Sequence, residues 1–422
     1  MPGACSGAGR GAMSVATEDP FVVVGASLAG LRAVEEARSS GYSGRIVLIG
    51  AEAHIPYDRP PLSKQFLVPD ASPDYLTLEE DLREALDVEL LLSSTAISLD
   101  PVQRRIHLQS GESVSYAKLV IATGANAKTI PPLSGKDGVL TLRSLDDAQE
   151  LRRRLTPGAN VVIIGAGFIG SETASSAQKQ GANVVIVESA SIPLVRAVGP
   201  IVGQAVSSLH ARNQVRLLAD TQVIEVLGED AVHGVRLATG EVLPADVVVV
   251  GIGAEPATSW LHGSGIEFDA RDGGIKCDAM LRTSLPDVFA AGDLVHWPNE
   301  VLESTVMRLE NWTNAAEQGR RAASNALWPA EASVYSTVPY FWSDWYDQRI
   351  QFVGSPTADE VQFVSGDPAT DKWVALYRSA DRLIGAATLN EPRKIMKYRR
   401  MIGQKMSWTD AVNALKAAPV SV

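Results

Sequence analysis

The chain of 422 residues is poor in cysteine, in long apolar runs and in basic charge. Its two cysteines, Cys5 and Cys277, form no CxxC pair, which excludes a disulfide scaffold, a cysteine-ligated metal cluster and an internal dithiol relay. No apolar run approaches the roughly 18 residues that a membrane span needs, so we expect a cytoplasmic protein. The formal net charge of −11 argues against nucleic acid or an anionic membrane as a general partner.

The first segment, residues 1–19, is rich in glycine, alanine and serine and lacks the apolar centre of a signal peptide. We expect it to be a flexible tail. The rest of the chain exceeds what one hydrophobic core usually supports, so two or three domains are expected.

Two segments of the chain repeat the same order of elements. Each predicts a buried strand, a glycine-rich turn, an amphipathic helix, a second buried strand and an acidic residue at its end. Such a turn lets the backbone approach a pyrophosphate, and the helix N-terminus presents free N–H groups to the phosphates. One such turn also occurs in ordinary α/β proteins, but two in full context predict two dinucleotide sites. The candidate contacts are Gly25, Ser27, Leu28, Ala29, Gly30 and Glu52 in the first copy, and Gly165, Gly167, Phe168, Ile169, Gly170 and Glu188 in the second.

The first copy departs from the usual pattern at two positions. Ser27 replaces the middle glycine, and Ala51 stands where an acid is often found, with Glu52 next. Serine is small enough for the pyrophosphate to approach, whereas ribose recognition by Glu52 is a weaker expectation.

Three more strands run into turns of small residues, after residues 118–121, 246–250 and 286–290. The last ends in Gly-Asp, and such an aspartate can accept a hydrogen bond from the ribityl chain of FAD. A plain buried strand with a turn is the alternative for each. The candidate contacts are Ala122, Thr123, Gly124, Gly253, Gly292 and Asp293.

In this order the motifs resemble the two-dinucleotide-binding-domain flavoproteins with a glutathione-reductase-like fold. The resemblance implies an α/β fold, in which two Rossmann-like domains bind FAD and NAD and a small α+β domain follows. It implies that the first motif and Asp293 hold FAD and that the second motif holds the nicotinamide cofactor. The expected divisions are a FAD-binding domain in residues 20–130 and 254–327, an NAD-binding domain in residues 131–253, and a C-terminal domain in residues 328–422.

Residues 56–64, PYDRPPLSK, resemble the segment after the second strand in NADH-dependent ferredoxin reductases of Rieske-type dioxygenases or bacterial cytochromes P450. Similar matches occur at Arg143, at residues 310–312 and at residues 341–344. The resemblance implies electron transfer from NADH through FAD to a [2Fe–2S] ferredoxin that feeds an oxygenase. Disulfide reductases of this superfamily carry a redox cysteine near the flavin, which is missing here. The resemblance adds these candidate cofactor contacts: Arg59, Lys64, Ile97, Arg143, Glu310 and Trp312.

Nucleotide choice depends on Glu188, because a carboxylate suits the free 2′-OH of NADH and repels the 2′-phosphate of NADPH. The nearest following arginine, Arg196, is a further candidate contact. We therefore expect NADH, the alternative being that Glu188 is a solvated acid at a strand end.

The catalytic hypothesis is hydride transfer from NADH to the flavin, followed by release of single electrons. Lys64 is the candidate cation near the flavin, with an exposed surface lysine as the alternative. Glu172 is the candidate contact to the nicotinamide, although stabilisation of a helix N-terminus would also explain it. Residues 311–327 predict a helix with one weak position, Gly319. The six histidines show no metal-ligand spacing, so no metal site is expected.

The C-terminal region contains an aromatic cluster, residues 335–346, that we expect to form core, and a basic segment, residues 393–400. That segment is either a solvated helix face or a surface that steers an acidic ferredoxin. An NADH oxidase or a quinone or rubredoxin reductase on the same fold remains an alternative function. A redox-sensing protein like apoptosis-inducing factor is another, and monomer and dimer both remain open.

Overall fold

The computed structural model describes residues 19–416, so the predicted tail lies outside them except for Asp19. In this range seven α-helices are numbered in chain order: α1 Leu28–Ser39, α2 Leu145–Arg154, α3 Phe168–Lys179, α4 Val195–Arg212, α5 Trp312–Leu327, α6 Pro392–Gly403 and α7 Trp408–Lys416. None of them combines the length and apolarity needed to cross a membrane.

The strands of the same range are numbered likewise: β1 Phe21–Val24, β2 Ile46–Ile49, β3 Val88–Leu91, β4 Ala96–Asp100, β5 Arg105–Leu108, β6 Ser113–Ser115, β7 Lys118–Ile121, β8 Ala125–Ala127, β9 Val139–Leu140, β10 Asn160–Ile164, β11 Asn183–Val187, β12 Arg216–Leu218, β13 Val223–Leu227, β14 Gly234–Leu237, β15 Val242–Pro244, β16 Val247–Val250, β17 Ala254–Pro256, β18 Ile275–Lys276, β19 Val288–Ala290, β20 Val295–Asn299, β21 Thr305–Met307, β22 Tyr340–Trp345, β23 Gln348–Gly354, β24 Glu360–Gly366, β25 Trp373–Ser379 and β26 Arg382–Leu389.

The first large sheet is parallel, with the strand order β19-β7-β1-β2-β3. All four residues of β1 are buried, as expected for a strand covered on both faces. Helices α1 and α5 cross very closely at Gly319 and Ala29. A Cβ built on Gly319 would lie only 2.2 Å from the Ala29 carbonyl oxygen. Gly319, the expected weak position of α5, is therefore required for this crossing.

The second large sheet is also parallel, with the order β12-β11-β10-β16-β9. Its central strands are runs of valine and isoleucine because helices and a three-stranded sheet cover its faces. Both predicted strand–turn–helix–strand units are present, as β1-α1-β2 and β10-α3-β11. The predicted α/β fold with two dinucleotide-binding units is confirmed.

A two-stranded antiparallel sheet joins the two units where the chain crosses between them. Strand β8 carries the chain out of the first unit, and β17 pairs with it on the way back. The expected domain limits at residues 130 and 253 lie beside this pair and stay a prediction.

The C-terminal region forms an antiparallel sheet in the order β22-β23-β26-β25-β24, followed by α6 and α7. Helix α6 buries Ile395, Tyr398, Met401 and Ile402 against this sheet, so the basic segment is one face of an amphipathic helix. The opposite face of the sheet shares a core with α4, in which Val202 and Val206 pack with Trp345 and Tyr377.

Candidate functional site

A cleft of about 920 Å³ lies where the first sheet, α3 and β22 meet. This volume is at the upper end of the usual range for ligand sites, about 300–1,000 Å³. Many of the predicted site residues line the cleft: Gly25, Ser27, Leu28, Ala29, Glu52, Arg59, Lys64, Ala122, Thr123, Gly124, Arg143, Phe168, Ile169, Glu172, Arg196, Gly292, Asp293, Glu310 and Trp312. The others lie outside it: Gly30, Ile97, Gly165, Gly167, Gly170, Glu188 and Gly253.

The first glycine-rich turn brings three backbone segments together. Gly25 has φ +121°, and a Cβ there would lie 2.1 Å from the Ala122 carbonyl oxygen. A Cβ on Gly30 would lie 1.9 Å from the Gly25 carbonyl oxygen, so Gly30 allows α1 to pack on the turn and does not face the cleft. Helix α1 begins after Ser27 at the cleft wall, where its first N–H groups lack helical partners.

Glu52 belongs to a hydrogen-bonded cluster at the first turn. Its carboxylate accepts hydrogen bonds from the Tyr57 hydroxyl at 2.5 Å and from the Arg59 guanidinium at 2.6 Å. Burial raises the pKa of Tyr57, which keeps this phenol protonated as a donor. Arg59 also donates to the Arg143 carbonyl oxygen at 2.6 Å, and Arg143 reaches Asp293 at 3.2 Å. The acid, both arginines and Asp293 thus form one connected wall.

At the N-terminus of α5, the Trp312 indole donates to Asp58 at 2.6 Å. Burial raises the pKa of Asp58, and the Trp312 hydrogen bond opposes this shift. Glu310 pairs with Arg308 at 2.8 Å, and Arg308 also donates to the Asp293 carbonyl oxygen at 2.7 Å. Asp58 was not singled out from the sequence, although it lies inside the PYDRPPLSK string.

Lys64 and Glu172 form a buried ion pair with an N–O distance of 2.8 Å, and their side chains are only 14% and 4% exposed. Lys64 is therefore not an exposed surface lysine. The Glu172 carboxylate also accepts hydrogen bonds from Ser63 and Ser343, each at 2.5 Å. Neither serine was singled out from the sequence, although each lies inside a string that carries the family resemblance, PPLSK and FWSD.

The second glycine-rich turn repeats the backbone of the first. Gly165 has φ +103°, and a Cβ there would lie 2.4 Å from the Gly251 carbonyl oxygen. A Cβ on Gly170 would lie 2.1 Å from the Gly165 carbonyl oxygen, whereas one on Gly167 would meet nothing closer than 3.8 Å. Gly167 therefore leaves open space at the N-terminus of α3.

Glu188 is tied to this second turn. Its two carboxylate oxygens accept hydrogen bonds from the backbone N–H groups of Ala166 and Ala190, each at 2.8 Å. A carboxylate has further acceptor sites beyond these two. Glu188 is thus fixed beside the turn, which a merely solvated strand-end acid would not be.

Two predicted contacts stand apart from both turns. Ile97 is 51% exposed on β4 and does not reach the cleft, although Ala96 does, because successive side chains of a strand point to opposite faces. Gly253 lies between β16 and β17, and a Cβ there would meet nothing within 4 Å.

The aromatic cluster of residues 335–346 divides between the core and the cleft. Trp345 is fully buried, whereas Phe341 and Trp342 line the cleft. Phe341 lies 4.7 Å from Phe168 and Trp342 lies 6.4 Å from Trp312, measured between ring centroids. The expectation that these aromatics are core residues is therefore wrong for Trp342, because β22 borders the cleft, whereas Phe341 lines the cleft and also packs on the buried Phe352.

Asp269, Asp272 and His296 approach one another within 4.8 Å although they are spread along the sequence. The side chains of Arg271 and Arg308 already neutralise the two carboxylates. Hydrogen bonds from Arg271 hold the pKa of Asp269 well below its ordinary value. The absence of a metal site stays a prediction.

The residues at the two turns fit a pair of dinucleotides. At the first, Gly25 and Gly30 allow the backbone segments to pack closely, free helix N–H groups face the cleft, and Arg59 and Arg143 supply positive charge. This combination suits the pyrophosphate of FAD. The second turn, with Gly167 open and Glu188 beside it, suits a nicotinamide dinucleotide, and Phe168 at the start of α3 lines the cleft.

Comparisons with known proteins agree with this geometry. Family models named "Pyridine nucleotide-disulphide oxidoreductase" and "Reductase C-terminal" match residues 19–319 and 340–420. Human apoptosis-inducing factor 3 is 36% identical over 90% of this chain, which spans only 62% of that protein's length. The biphenyl dioxygenase system ferredoxin–NAD(+) reductase component of Paraburkholderia xenovorans is 36% identical, with 92% of this chain and 94% of that protein covered.

The solved structures include a ferredoxin reductase for the CYP199A2 system from Rhodopseudomonas palustris. It is 34% identical, with a TM-score of 0.87 over 92% of this chain and 95% of that chain. The chain in a covalent putidaredoxin reductase–putidaredoxin complex is 29% identical, with a TM-score of 0.88 over 95% of this chain and 100% of that chain. This chain therefore belongs to the pyridine nucleotide-disulphide oxidoreductase family, whose members are FAD-dependent oxidoreductases that use NAD(H).

Proposed function

We propose that this protein takes electrons from NADH, passes them through FAD and delivers them singly to a [2Fe–2S] ferredoxin that feeds an oxygenase. The observation that carries the proposal is the cleft itself, in which the first turn, α3 of the second unit and the buried Lys64–Glu172 pair meet. When bound, a flavin accepts two electrons from a nicotinamide and releases them one at a time.

The residues of the chain have positioning and electrostatic roles in this proposal. The first turn, Arg59 and Arg143 hold the flavin dinucleotide, while Phe168 and Glu172 flank the nicotinamide. The N-terminus of α5 borders the cleft, and its dipole favours negative charge there. If the flavin were bound with its ring beside this helix end, the dipole would favour negative charge on that ring.

The cysteine content favours an external electron acceptor over a disulfide. Within residues 19–416 no cysteine lines the cleft, and burial raises the pKa of the Cys277 thiol. Cys5 lies outside the described residues. A disulfide reductase would need a reactive thiol beside the flavin.

The proposed partner follows from the relatives and from the charge on α6. Several relatives are named as reductase components that act with a ferredoxin. On α6, Lys394 pairs with Glu391 and Lys397 donates to the Ala414 carbonyl oxygen, whereas Arg393 and Arg400 are exposed. These two arginines are the charges that we expect to steer an acidic ferredoxin, mainly by raising its association rate.

The primary test is anaerobic mixing of the purified protein with NADH and, separately, with NADPH, followed by addition of a [2Fe–2S] ferredoxin coupled to cytochrome c. We expect rapid flavin bleaching by NADH and ferredoxin-dependent cytochrome reduction. Bleaching without ferredoxin dependence would assign the protein to the NADH oxidases or the quinone or rubredoxin reductases. A purified protein without flavin would overturn the cofactor assignment.

The α6 surface is tested with the double substitution Arg393→Glu and Arg400→Glu. We expect slower ferredoxin reduction at low salt and unchanged NADH–ferricyanide turnover, since the steering field is screened by salt. The matched control is Arg105→Glu, an exposed arginine of β5 in the three-stranded sheet β4-β5-β6. An effect of the same size per charge in the control would show that only net charge matters.

A second candidate function is favoured by the identity to apoptosis-inducing factor 3. A redox-sensing protein of that kind would bind NADH but would turn over very slowly with ferredoxin, oxygen and quinones alike. The same mixing experiment therefore separates the two candidates.

A further inference from the structure

Strand β22 contacts two different parts of the molecule with its two faces. On one face, Tyr340 stacks with Trp342, which in turn contacts Trp312 of α5. On the other face, Phe341, Ser343 and Trp345 point to the second unit. Side chains alternate between the faces of a strand, so one strand borders both the proposed flavin site and helix α3.

Ser343 is fully buried and makes two hydrogen bonds in which the roles of its hydroxyl are fixed. It accepts a hydrogen bond from the Trp345 indole N–H at 2.7 Å and donates to the Glu172 carboxylate at 2.5 Å. Indole is a donor only, and a serine hydroxyl has a single proton. The bond from Trp345 therefore leaves the serine proton for Glu172.

Trp345 is itself held firmly in place. It is fully buried and stacks on the His210 ring with a centroid distance of 5.2 Å and an interplanar angle of 22°. His210 in turn contacts the Tyr346 hydroxyl at 2.8 Å and Ser171 at 3.3 Å. The donor that orients Ser343 is thus anchored by residues of α3 and α4.

The same oxygen of Glu172, Oε1, receives both Ser343 and Lys64, while Oε2 receives Ser63. Three donors from two separate segments therefore fix the carboxylate in position and rotation. Without Ser343, no group of the C-terminal sheet would hold Oε1, and the carboxylate could turn towards Lys64.

We infer that Ser343 is a positioning residue that sets the geometry of the Lys64–Glu172 pair from the C-terminal sheet. It acts through Glu172 and does not itself line the cleft. The inference rests on the proposed function only in placing that pair between the nicotinamide and the flavin. It assigns the C-terminal sheet a role in flavin reduction by NADH, separate from any role in docking a partner.

The test compares Ser343→Ala with the wild type in anaerobic stopped-flow reduction of the flavin. We expect the rate at saturating NADH to fall about tenfold and the NADH Kd to change by less than about twofold, because orientation and not binding is lost. Ser343→Thr keeps the hydroxyl and should recover most of the rate. Ser207→Ala is the matched control, since Ser207 is buried but donates only to Gly203 of its own helix.

A double-mutant cycle with Glu172→Ala, which removes both carboxylate oxygens, separates a positioning role from a general structural one. If Ser343 acts through Glu172, Ser343→Ala should cause no further slowing in the Glu172→Ala background. Additive effects, a slowing of less than about threefold in the single variant, or equal slowing in Ser207→Ala would each overturn the inference. Should Ser343→Ala not fold, Ser343→Cys replaces the hydroxyl with a slightly larger and weaker donor and runs in the same cycle.

No ferredoxin enters these measurements. A failure of the ferredoxin proposal would leave the NADH-dependent rates and the cycle intact. A failure of the Ser343 inference would leave unchanged whether the protein reduces a ferredoxin. The two outcomes are therefore distinguishable.

Discussion

The two glycine-rich turns have nearly the same backbone but very different surroundings. At the first, Gly25 opens into a cleft walled by Glu52, Arg59 and Arg143, which are bonded to one another. At the second, Gly165, Gly167 and Glu188 lie outside that cleft, and Glu188 accepts hydrogen bonds from nearby backbone N–H groups and from Ser189. The same motif can therefore retain a dinucleotide tightly or exchange it with solvent, depending on which residues the rest of the fold places around it. We expect the first site to keep its dinucleotide and the second to release it.

The largest expected effect comes from adding a methyl group to either turn. Gly25→Ala and Gly165→Ala each place a Cβ within 2.4 Å of a carbonyl oxygen at a positive φ, which only glycine adopts readily. Gly25→Ala should yield protein without flavin, whereas Gly165→Ala should retain flavin but fail to be reduced by NADH. Absorbance of the purified proteins and NADH titration measure this. Loss of flavin in both variants would contradict the contrast between the sites.

A smaller effect on stability is expected from lowering the pH, and it depends on His210, which is buried on α4. Burial lowers the pKa of His210 to about 4 from its ordinary value of 6.5. The unfolded chain therefore binds the extra proton first, and stability is lost as the pH falls from about 7 towards 4. Between pH 7.5 and 5 the loss in unfolding free energy should be about 2 kcal/mol.

Denaturant unfolding of the wild type and of His210→Gln at both pH values measures this difference. The variant should be less stable at pH 7.5 but should lose less between the two pH values. An equal acid-dependent loss in both proteins would assign the effect to other groups.

Nucleotide preference should change only at the second turn. Glu188→Gln removes the charge and keeps an acceptor oxygen for only one of the Ala166 and Ala190 N–H groups, so discrimination against NADPH should fall about tenfold, or about 1.4 kcal/mol. Glu52→Gln should leave that preference unchanged and weaken flavin retention, because Arg59 loses its ion pair. Kd values for NADH and NADPH, with flavin release followed by fluorescence, measure both. A shift in preference in Glu52→Gln would reverse the assignment of the sites.

The smallest effect on cofactor binding is expected when Ser27 of the first turn is replaced by glycine, the residue at the matching position of the second turn. Ser27→Gly removes one long hydrogen bond, the 3.3 Å contact to Arg59. The other bonds of Arg59 remain, so the flavin Kd should change by less than about fivefold, under about 1 kcal/mol. Ultrafiltration with measurement of free flavin tests this. A larger loss would show that the serine hydroxyl itself binds the cofactor.

Sequence patterns predicted the local features of this fold well. The valine and isoleucine runs of β1 and β10 and the glycines that follow them are short-range signals, and the strands, turns and helices lie where these signals indicate. The acids Glu52 and Glu188 were also found by their place after a second strand. The individual cofactor contacts stay predictions.

What the sequence did not reveal depends on contacts between distant segments. Ser343 and Glu172 are 171 residues apart, and Trp312 and Asp58 are 254 apart, so no local pattern joins them. Gly319 looked like a weakness because its use is visible only where α5 crosses Ala29. In each case the family strings marked the right segment without indicating the individual contact.

The completion of the first sheet by β19 has a consequence for how the protein is made. Strand β7 pairs with β19, and Lys118 forms its ion pair with Asp287, 169 residues later in the chain. As the ribosome releases the chain in order, the second unit emerges complete while β7 still presents an open apolar edge. We expect nascent chains that end before Val288 to need a chaperone and to aggregate without one, which arrested-translation assays can measure.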